Sequence, residues 1–379
     1  MSNKTTPMLG RRRTLKWLAG ALLAPEALAR ATDASPPITH NPSPITPFAP
    51  VVPGYVMQFP RDGGSHPDFR IEWWYVTGWL NATSKQPLGF QVTFFRGRPT
   101  LRQDNPSAFT PRQIIFAHAA LSDPRVGRLV HAQRAARAAF GLAGAAPDEM
   151  RVWLDDWVLE RQNGTYRARI PASKLQMDLT LTPSQSPLLE GVRGLSRKGP
   201  AQESASYYYS EPHLKVTGTV SRDNRPLPVA GSAWLDHEWS SSYLPRQASG
   251  WDWIGVNLAD GGALMAFRMR KTGGGTLWAG GTWREADGSV EVFTPSDIQF
   301  TPRREWRSPR TGTRYPVSWS VRAGKLELAV EPLMDDQEND TRLSTGTIYW
   351  EGAVRVYRNG TVIGLGYLEL TGYWRPMSL

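Results

Sequence analysis

Cysteine is absent from this 379-residue chain, which excludes disulfides, thiolate-bound zinc, iron–sulfur clusters and thiol nucleophiles. Lysine is scarce, with 8 residues against 36 arginines. The arginines are scattered rather than gathered on one face, so no nucleic-acid partner is expected. The phosphate-cradling Gly-rich loop and the dinucleotide fingerprint are both missing, and no nucleotide is expected. No Gly-x-Ser-x-Gly elbow marks a serine hydrolase. His66, His118 and His237 lack His-Glu-x-x-His spacing, so no metal is expected, and no other cofactor has a motif. Long apolar runs are missing too. The stretch from Trp17 to Ala24 has eight residues, too few to cross about 30 Å of hydrocarbon.

Charged residues make up only 21%, beside 16 Trp, 12 Tyr and 12 Phe, which rules out disorder over most of the length and supplies a large aromatic core. The short apolar stretch follows Arg11-Arg12-Arg13-Thr14-Leu15-Lys16 and precedes the small-x-small site Ala27-Leu28-Ala29. Together these read as an export signal over 1–29, of the twin-arginine type. Its removal takes away five positive residues and one negative, lowering the net charge from +10 to +6. A periplasmic or secreted location is expected, with a soluble, mildly basic surface. Residues 30–53 are Pro-rich and read as an extended leader.

From Val56 onward, short apolar or aromatic runs alternate with turn residues. Asp260-Gly261, Asp287-Gly288 and Asn359-Gly360 are hairpin turns, since glycine accepts the positive φ of a tight reversal. The spacing predicts an antiparallel all-β protein, with a helix only over 134–142. An internal echo supports two related barrels. Residues 73–80 lead to Phe94-Phe95-Arg96, and 251–258 lead to Ala266-Phe267-Arg268. The expected division is 54–224 and 225–379. The arginine-rich stretch 301–313 and the acidic stretch 335–340 read as two solvated loops that attract each other.

The densest polar segment is Trp234-Leu235-Asp236-His237-Glu238-Trp239. As a strand it places Trp234, Asp236 and Glu238 on one face, and Leu235, His237 and Trp239 on the other. His237 can move a proton near pH 7. A carboxyl in apolar surroundings would have a raised pKa and act as an acid. Glu72 shares a strand face with Trp74, and His118 alternates with Ile114 and Phe116 toward an apolar interior. The aromatic excess fits an enclosed pocket for a large apolar ligand, and ring faces would stabilise a carbocation.

Several motifs occur in one order: 59–67 (Phe-Pro-Arg-Asp-Gly-Gly-Ser-His-Pro), Glu72-Trp73-Trp74-Tyr75-Val76-Thr77-Gly78, Thr93-Phe94-Phe95-Arg96, Ala117-His118-Ala119, Tyr207-Tyr208-Tyr209-Ser210 and 231–239. This set resembles the AttH / carotenoid 1,2-hydratase (hydroxyneurosporene synthase-like) family, over roughly residues 50 to 379. The resemblance implies two tandem lipocalin-like β-barrels with a cofactor-free site between them. In the hydratases a His-x-Trp element and a later Tyr-x-Asp element are implicated in catalysis. His237 and Trp239 match the first. The stretch comparable to the second, Leu264-Met265-Ala266-Phe267-Arg268, has neither Tyr nor Asp, so the acid that the resemblance implies is missing, which speaks against carotenoid hydration, and Asp236 or Glu238 would have to substitute. The expected catalytic residues are therefore His237, Asp236 and Glu238. The expected ligand-binding residues are Trp239, Trp234, Glu72, Trp74, His118, Tyr208, Trp251 and Trp253. The expected function is an exported, monomeric protein that binds a hydrophobic lipid- or isoprenoid-like molecule. The alternatives are a hydratase/lyase or hydrolase acting on an apolar substrate between the barrels, and an accessory of an envelope transport system with a protein partner.

Overall fold

Alternation dictates the architecture. Strands that carry apolar residues on both faces must be covered on both, and two sheets packed face to face provide that cover. A computed structural model describes residues 48–82, 86–100, 105–222 and 225–378. The export segment and most of the Pro-rich leader lie outside the described residues. Among those described, the regular secondary structure is almost wholly strand, and no helix is long and apolar enough to cross a membrane.

The first antiparallel sheet runs in space β4 (Leu129–Arg137), β3 (Ile114–Ser122), β2 (Pro87–Gly97), β1 (Ile71–Ala82), β13 (Arg225–Ser240), β12 (Ala205–Arg222), β9 (Leu175–Thr182), β8 (Thr165–Pro171), β7 (Trp157–Gln162), β6 (Arg151–Leu154) and β5 (Ala143–Ala145). Two short strands, β10 (Leu188–Leu189) and β11 (Leu195–Arg197), pair with β12. The second sheet runs β17 (Val290–Phe293), β16 (Thr276–Arg284), β15 (Ala263–Lys271), β14 (Ala248–Leu258), β23 (Thr361–Leu370), β22 (Ile348–Arg358), β20 (Leu326–Pro332), β19 (Arg314–Ala323) and β18 (Ile298–Arg307), with β21 (Glu338–Asp340) pairing β22. Each sheet curls into a lipocalin-like barrel, the tandem architecture expected.

The internal echo is a repeat of topology. In each barrel the opening strand, β1 or β14, lies between its hairpin partner and the long strand that ends the barrel, β13 or β23. Glu72 stands opposite Arg96 in the β1–β2 register, and Asp252 stands opposite Arg268 in the β14–β15 register. Both carboxylates bind their arginine, at 2.7 Å and 2.6 Å.

Three cores result. Trp74, Val76, Phe94, Leu235 and Trp239 pack inside the first barrel. Ile254, Val256, Trp350 and Leu368 pack inside the second. Between them lies an aromatic layer of Tyr75, Trp79, Tyr208, Trp234, Trp253 and Tyr367. Even residues of β1 point into the first barrel and odd residues point at the second. A Trp or Tyr buries roughly 150–250 Å². Each interface ring therefore contributes on the order of 4 kcal/mol before ordering entropy is set against it.

Three expectations change. The segment 134–142 is no helix: its first part is the end of β4, paired along its length with β3. Pairing and burial of the β3 side chains override the helical preference of an Ala/Arg-rich stretch. The division at 224/225 falls within the first sheet, between β12 and β13, which pair as far as Arg222 and Arg225. The chain changes sheet after Ser240 and before Ala248, because β13 is needed to cover β1. The arginine-rich and acidic stretches are partly strand, β18 and β21. They do attract each other, with Arg304 on Asp335 at 2.7 Å and Arg310 on Asp336 at 2.6 Å.

Candidate functional site

The β1–β13 pair is the shared wall of the molecule, and its two faces hold different chemistry. On the inner face, Trp74 opposes His237 and Glu72 opposes Trp239. Glu72 Oε1 accepts from His66 Nδ1 at 2.7 Å and from His237 Nε2 at 2.9 Å. Its Oε2 accepts from Arg96 Nε at 2.7 Å and from the His66 backbone N–H at 2.9 Å. Arg96 also donates to the carbonyls of His66 and Phe69, at 2.8 and 3.0 Å. The second nitrogen of His66 faces Asp62 Oδ1 at 3.3 Å, and the ring lies flat on Trp239 with centroids 3.7 Å apart. Asp62 accepts in turn from the Tyr55 hydroxyl and the Gln58 N–H, both at 2.7 Å.

Burial works against charge in this cluster, but pairing wins. Glu72 is held well below the usual carboxylate range by Arg96 and the two histidines. His66 loses basicity to burial, yet Asp62 and Glu72 raise it on balance. A histidine with a carboxylate at each nitrogen is an imidazolium. Burial pushes His237 down, Glu72 opposing, and its Nδ1 lies 3.4 Å from the Tyr209 hydroxyl. Arg96, His66 and Arg61 thus face Glu72 and Asp62, and each nitrogen of Arg96 donates at least one hydrogen bond. His66, Glu72 and His237 come within metal-ligand reach of one another, within 4.8 Å. However, Glu72 already has a cationic partner in Arg96, which binds its other oxygen. We read the cluster as a saturated ion network that pins 59–67 to the barrel.

The outer face borders a cavity of about 470 Å³ between the barrels. The first barrel contributes Trp73, Tyr75 and Tyr208 to its wall; the second contributes Trp251, Trp253 and Tyr349. Three carboxyls open onto it: Asp236, Glu238 and Glu369. Asp236 Oδ1 accepts from Trp234 Nε1 at 2.7 Å and Ser210 Oγ at 2.6 Å. Burial nevertheless raises its pKa to about 7, with the Glu238 charge adding to the rise. Glu369 accepts from Trp251 Nε1 at 2.7 Å and is likewise raised to about 7, mainly by burial. Directly across the strand pair from Glu369 stands the buried Glu351, pushed well above the usual range by burial and by Glu369.

Glu238 binds the buried Lys198 ammonium at 2.8 Å and accepts from the Ser206 hydroxyl. Burial raises Glu238, Lys198 opposing. Lys198 also lies over the rings of Phe267, Tyr208 and Tyr243, at 4.2, 4.9 and 5.2 Å. Carboxyls that keep a proton near neutrality, set in an aromatic wall, can act as general acids and bases.

The structure therefore separates the expected catalytic residues. Asp236 and Glu238 line the cavity, while His237 lies behind the strand in the first barrel. Trp239 and Trp74 go with His237: they pack in that core and do not line the cavity. Glu72 also borders the cavity, but its carboxylate belongs to the inner cluster. Tyr208, Trp251 and Trp253 line the cavity together, and Trp253 Nε1 donates to the Tyr208 hydroxyl at 3.1 Å, from one barrel to the other. Trp234 lies in the interface layer and lines a second groove, beside Trp79 and Gly366. His118 also lines the cavity, and it faces the second barrel rather than its own core. It sits 3.0 Å from the Tyr349 hydroxyl and 2.9 Å from Ser344 Oγ, and burial lowers its pKa to about 3. The three histidines do not converge, since only His66 and His237 meet.

Glu369, Glu351, Glu190 and Lys198 were not among the candidates. A signal existed for two of them. Glu351 and Glu369 are single carboxylates inside aromatic, apolar strand runs, Tyr349-Trp350-Glu351 and Tyr367-Leu368-Glu369-Leu370. Glu190 and Lys198 lie in a polar, Gly-rich loop and carry no such signal.

The AttH-like family model matches residues 50–373. The crystal structure of a protein assigned as AttH from Nitrosomonas europaea is 51% identical, covers 86% of this chain and 100% of its own, and has a TM-score of 0.82. Kievitone hydratase from Nectria haematococca is 14% identical over 86% of this chain and 99% of its own, with a TM-score of 0.64. CghA is 11% identical over 86% and 96%, with a TM-score of 0.51. These last two share the fold. No functionally curated protein sequence matches. The chain belongs to the AttH-like family.

Proposed function

We propose that this AttH-like protein holds an apolar, unsaturated small molecule between its barrels and catalyses proton transfer to it, adding or removing water. The observation that carries this is the cavity itself, where Asp236 and Glu369 stand with pKa values raised to about 7 among Trp and Tyr faces. A carboxylic acid donates its proton to an alkene carbon. The cation that forms is stabilised by the ring faces. Water adds to it, and the water's proton returns to the carboxylate. Elimination is the same path reversed. One protein of this architecture is named for a hydration, which makes water addition the first reaction to seek. The N-terminal Arg-rich signal supports action outside the cytoplasm.

The test is mass spectrometry of organic extracts from the purified wild type and an Asp236→Asn variant, then turnover of a panel of isoprenoid and phenolic alkenes in heavy-oxygen water. Two bound molecules that differ by one water, and heavy-oxygen product formed roughly 10²-fold to 10⁴-fold more slowly by the variant, are expected. Equal turnover by both proteins would remove Asp236 from the chemistry. The same molecule in both, with no turnover, would favour a carrier.

A further inference from the structure

Next to Asp236, and not itself lining the cavity, lies a second carboxyl. The segment 188–198 folds back on β12 through β10 and β11 and carries Glu190 with it. The Glu190 backbone N–H donates to the Tyr208 carbonyl at 3.0 Å, which fixes its place. Glu190 is fully buried. Ser210 Oγ stands between the two acids, 2.8 Å from Glu190 Oε1 and 2.6 Å from Asp236 Oδ1.

A serine hydroxyl has one proton and can donate to one of these oxygens only. The other close oxygen–oxygen contact needs a proton of its own. If both carboxylates were ionised, one contact would set lone pairs together between two buried charges, a costly arrangement. The row Glu190–Ser210–Asp236 must therefore hold one proton beyond the serine's. Trp234 Nε1 already donates to Asp236 Oδ1, so at rest Ser210 donates to Asp236 and Glu190 donates to Ser210. Burial raises both carboxyls, Glu190 to about 8 and Asp236 to about 7, which agrees with a proton held between them.

We infer that Glu190 is a proton reservoir for Asp236, acting through Ser210. In one concerted shift the Glu190 O–H bond breaks and its proton moves to Ser210 Oγ, while the serine's own proton moves to Asp236. Asp236 is then the acid and Glu190 the carboxylate. Both arrangements have the same net charge, so the cavity need not open to water to rearm its acid. Glu190 is a positioning residue, and its role rests on the reading of Asp236 as the acid–base group. The charged and titratable groups facing the pair are Glu238 and Tyr208 on β13 and β12, Lys198, Tyr243, Glu369 on β23 and Arg284 on β16. None of these stands between the two oxygens and Ser210.

The test follows the carbon-13 carboxyl signal of Asp236 from pH 5 to 9 in the full-length protein, with Asp236→Asn used for assignment. Glu190→Gln keeps a donor toward Ser210 and removes the second acid. With Glu190 intact the Asp236 signal is expected to move in two steps, because the pair's second proton is shared; in Glu190→Gln Ser210 donates permanently to Asp236 and the step at higher pH is expected to vanish. A single step in the wild type, or two steps that survive Glu190→Gln, overturns the inference. Should that variant fail to fold, Ser210 variants serve instead. Ser210→Thr keeps the hydroxyl and the coupled two-step titration, and Ser210→Ala is expected to split it into two independent steps. Identical curves for the Thr and Ala variants would also overturn it. The titration needs no substrate. Coupled carboxyls with no effect of Asp236→Asn on turnover would leave the reservoir standing and remove the catalytic reading.

Discussion

The two faces of the β1–β13 pair bury the same residue type to opposite ends. Inside the first barrel, Glu72 meets a guanidinium, an imidazolium and a neutral imidazole, and remains ionised. Across the strand, Asp236 meets a serine, an indole N–H and another carboxyl beyond, and its pKa climbs. Burial acts on both. What differs is the count of positive partners within hydrogen-bond reach, and that count decides whether a buried carboxyl serves as mortar or as acid. The second barrel repeats the mortar position with Asp252 and Arg268. It has no histidines there: Leu368 and Leu370 face Ile254 and Asp252 where His237 and Trp239 face Trp74 and Glu72.

The comparison is broken most forcefully at Glu72. Glu72→Ala leaves Arg96 and His66 without their shared anion, and a loss of about 3–5 kcal/mol is expected from denaturant unfolding. Asp236→Asn, a near-isostere on the other face, is expected to cost less than about 1 kcal/mol. Similar costs for the two would mean that the faces do not differ in kind.

The pH dependence of stability is the next largest effect. Asp236, Glu190 and Glu369 have raised native pKa values. The native state holds protons that the unfolded chain has released above about pH 4, so stability falls as pH rises toward about 7–8. The slope is at most about 1.4 kcal/mol per pH unit per group. Glu72 has the opposite sign, its depressed pKa giving stability that is present above about 4.5 and lost as pH falls further. Urea midpoints are therefore expected to peak near pH 5 and decline toward pH 8, with a shallower decline in Asp236→Asn. A midpoint that climbs between pH 5 and 8 contradicts the assignment.

The smallest effect expected is at the surface. Arg304 and Asp335 form a two-point pair at 2.7 and 2.8 Å, yet both are partly exposed. Arg304→Ala is expected to shift stability by no more than about 1 kcal/mol, less at high salt. A larger loss would show that this pair buttresses the barrel.

Much of the fold was legible because strands announce themselves locally. Hairpin turns such as Asp260-Gly261 and Asn359-Gly360 join the strands they were expected to join. The alternation of 234–239 correctly divided Asp236 and Glu238 from His237. The segment 134–142 misled because Ala and Arg favour helix in isolation, and nothing local records that β3 waits beside them. The functional candidates were read less completely. Aromatic density marked Tyr208, Trp251 and Trp253, but the same density marked Trp74 and Trp239, which pack inside the first barrel. Glu190 and Lys198 were invisible because a charged residue in a loop is ordinarily solvated.

By itself the sequence determined the strand content, the tandem repeat and the face on which each residue of β1 and β13 stands. All of these follow from spacing along the chain. Only the tertiary structure decided which face is a packed core and which a cavity wall. It alone brought Glu190 to Ser210 and Glu351 to Glu369. Protonation depends on neighbours distant in sequence, and a residue acquires those neighbours only when the chain folds.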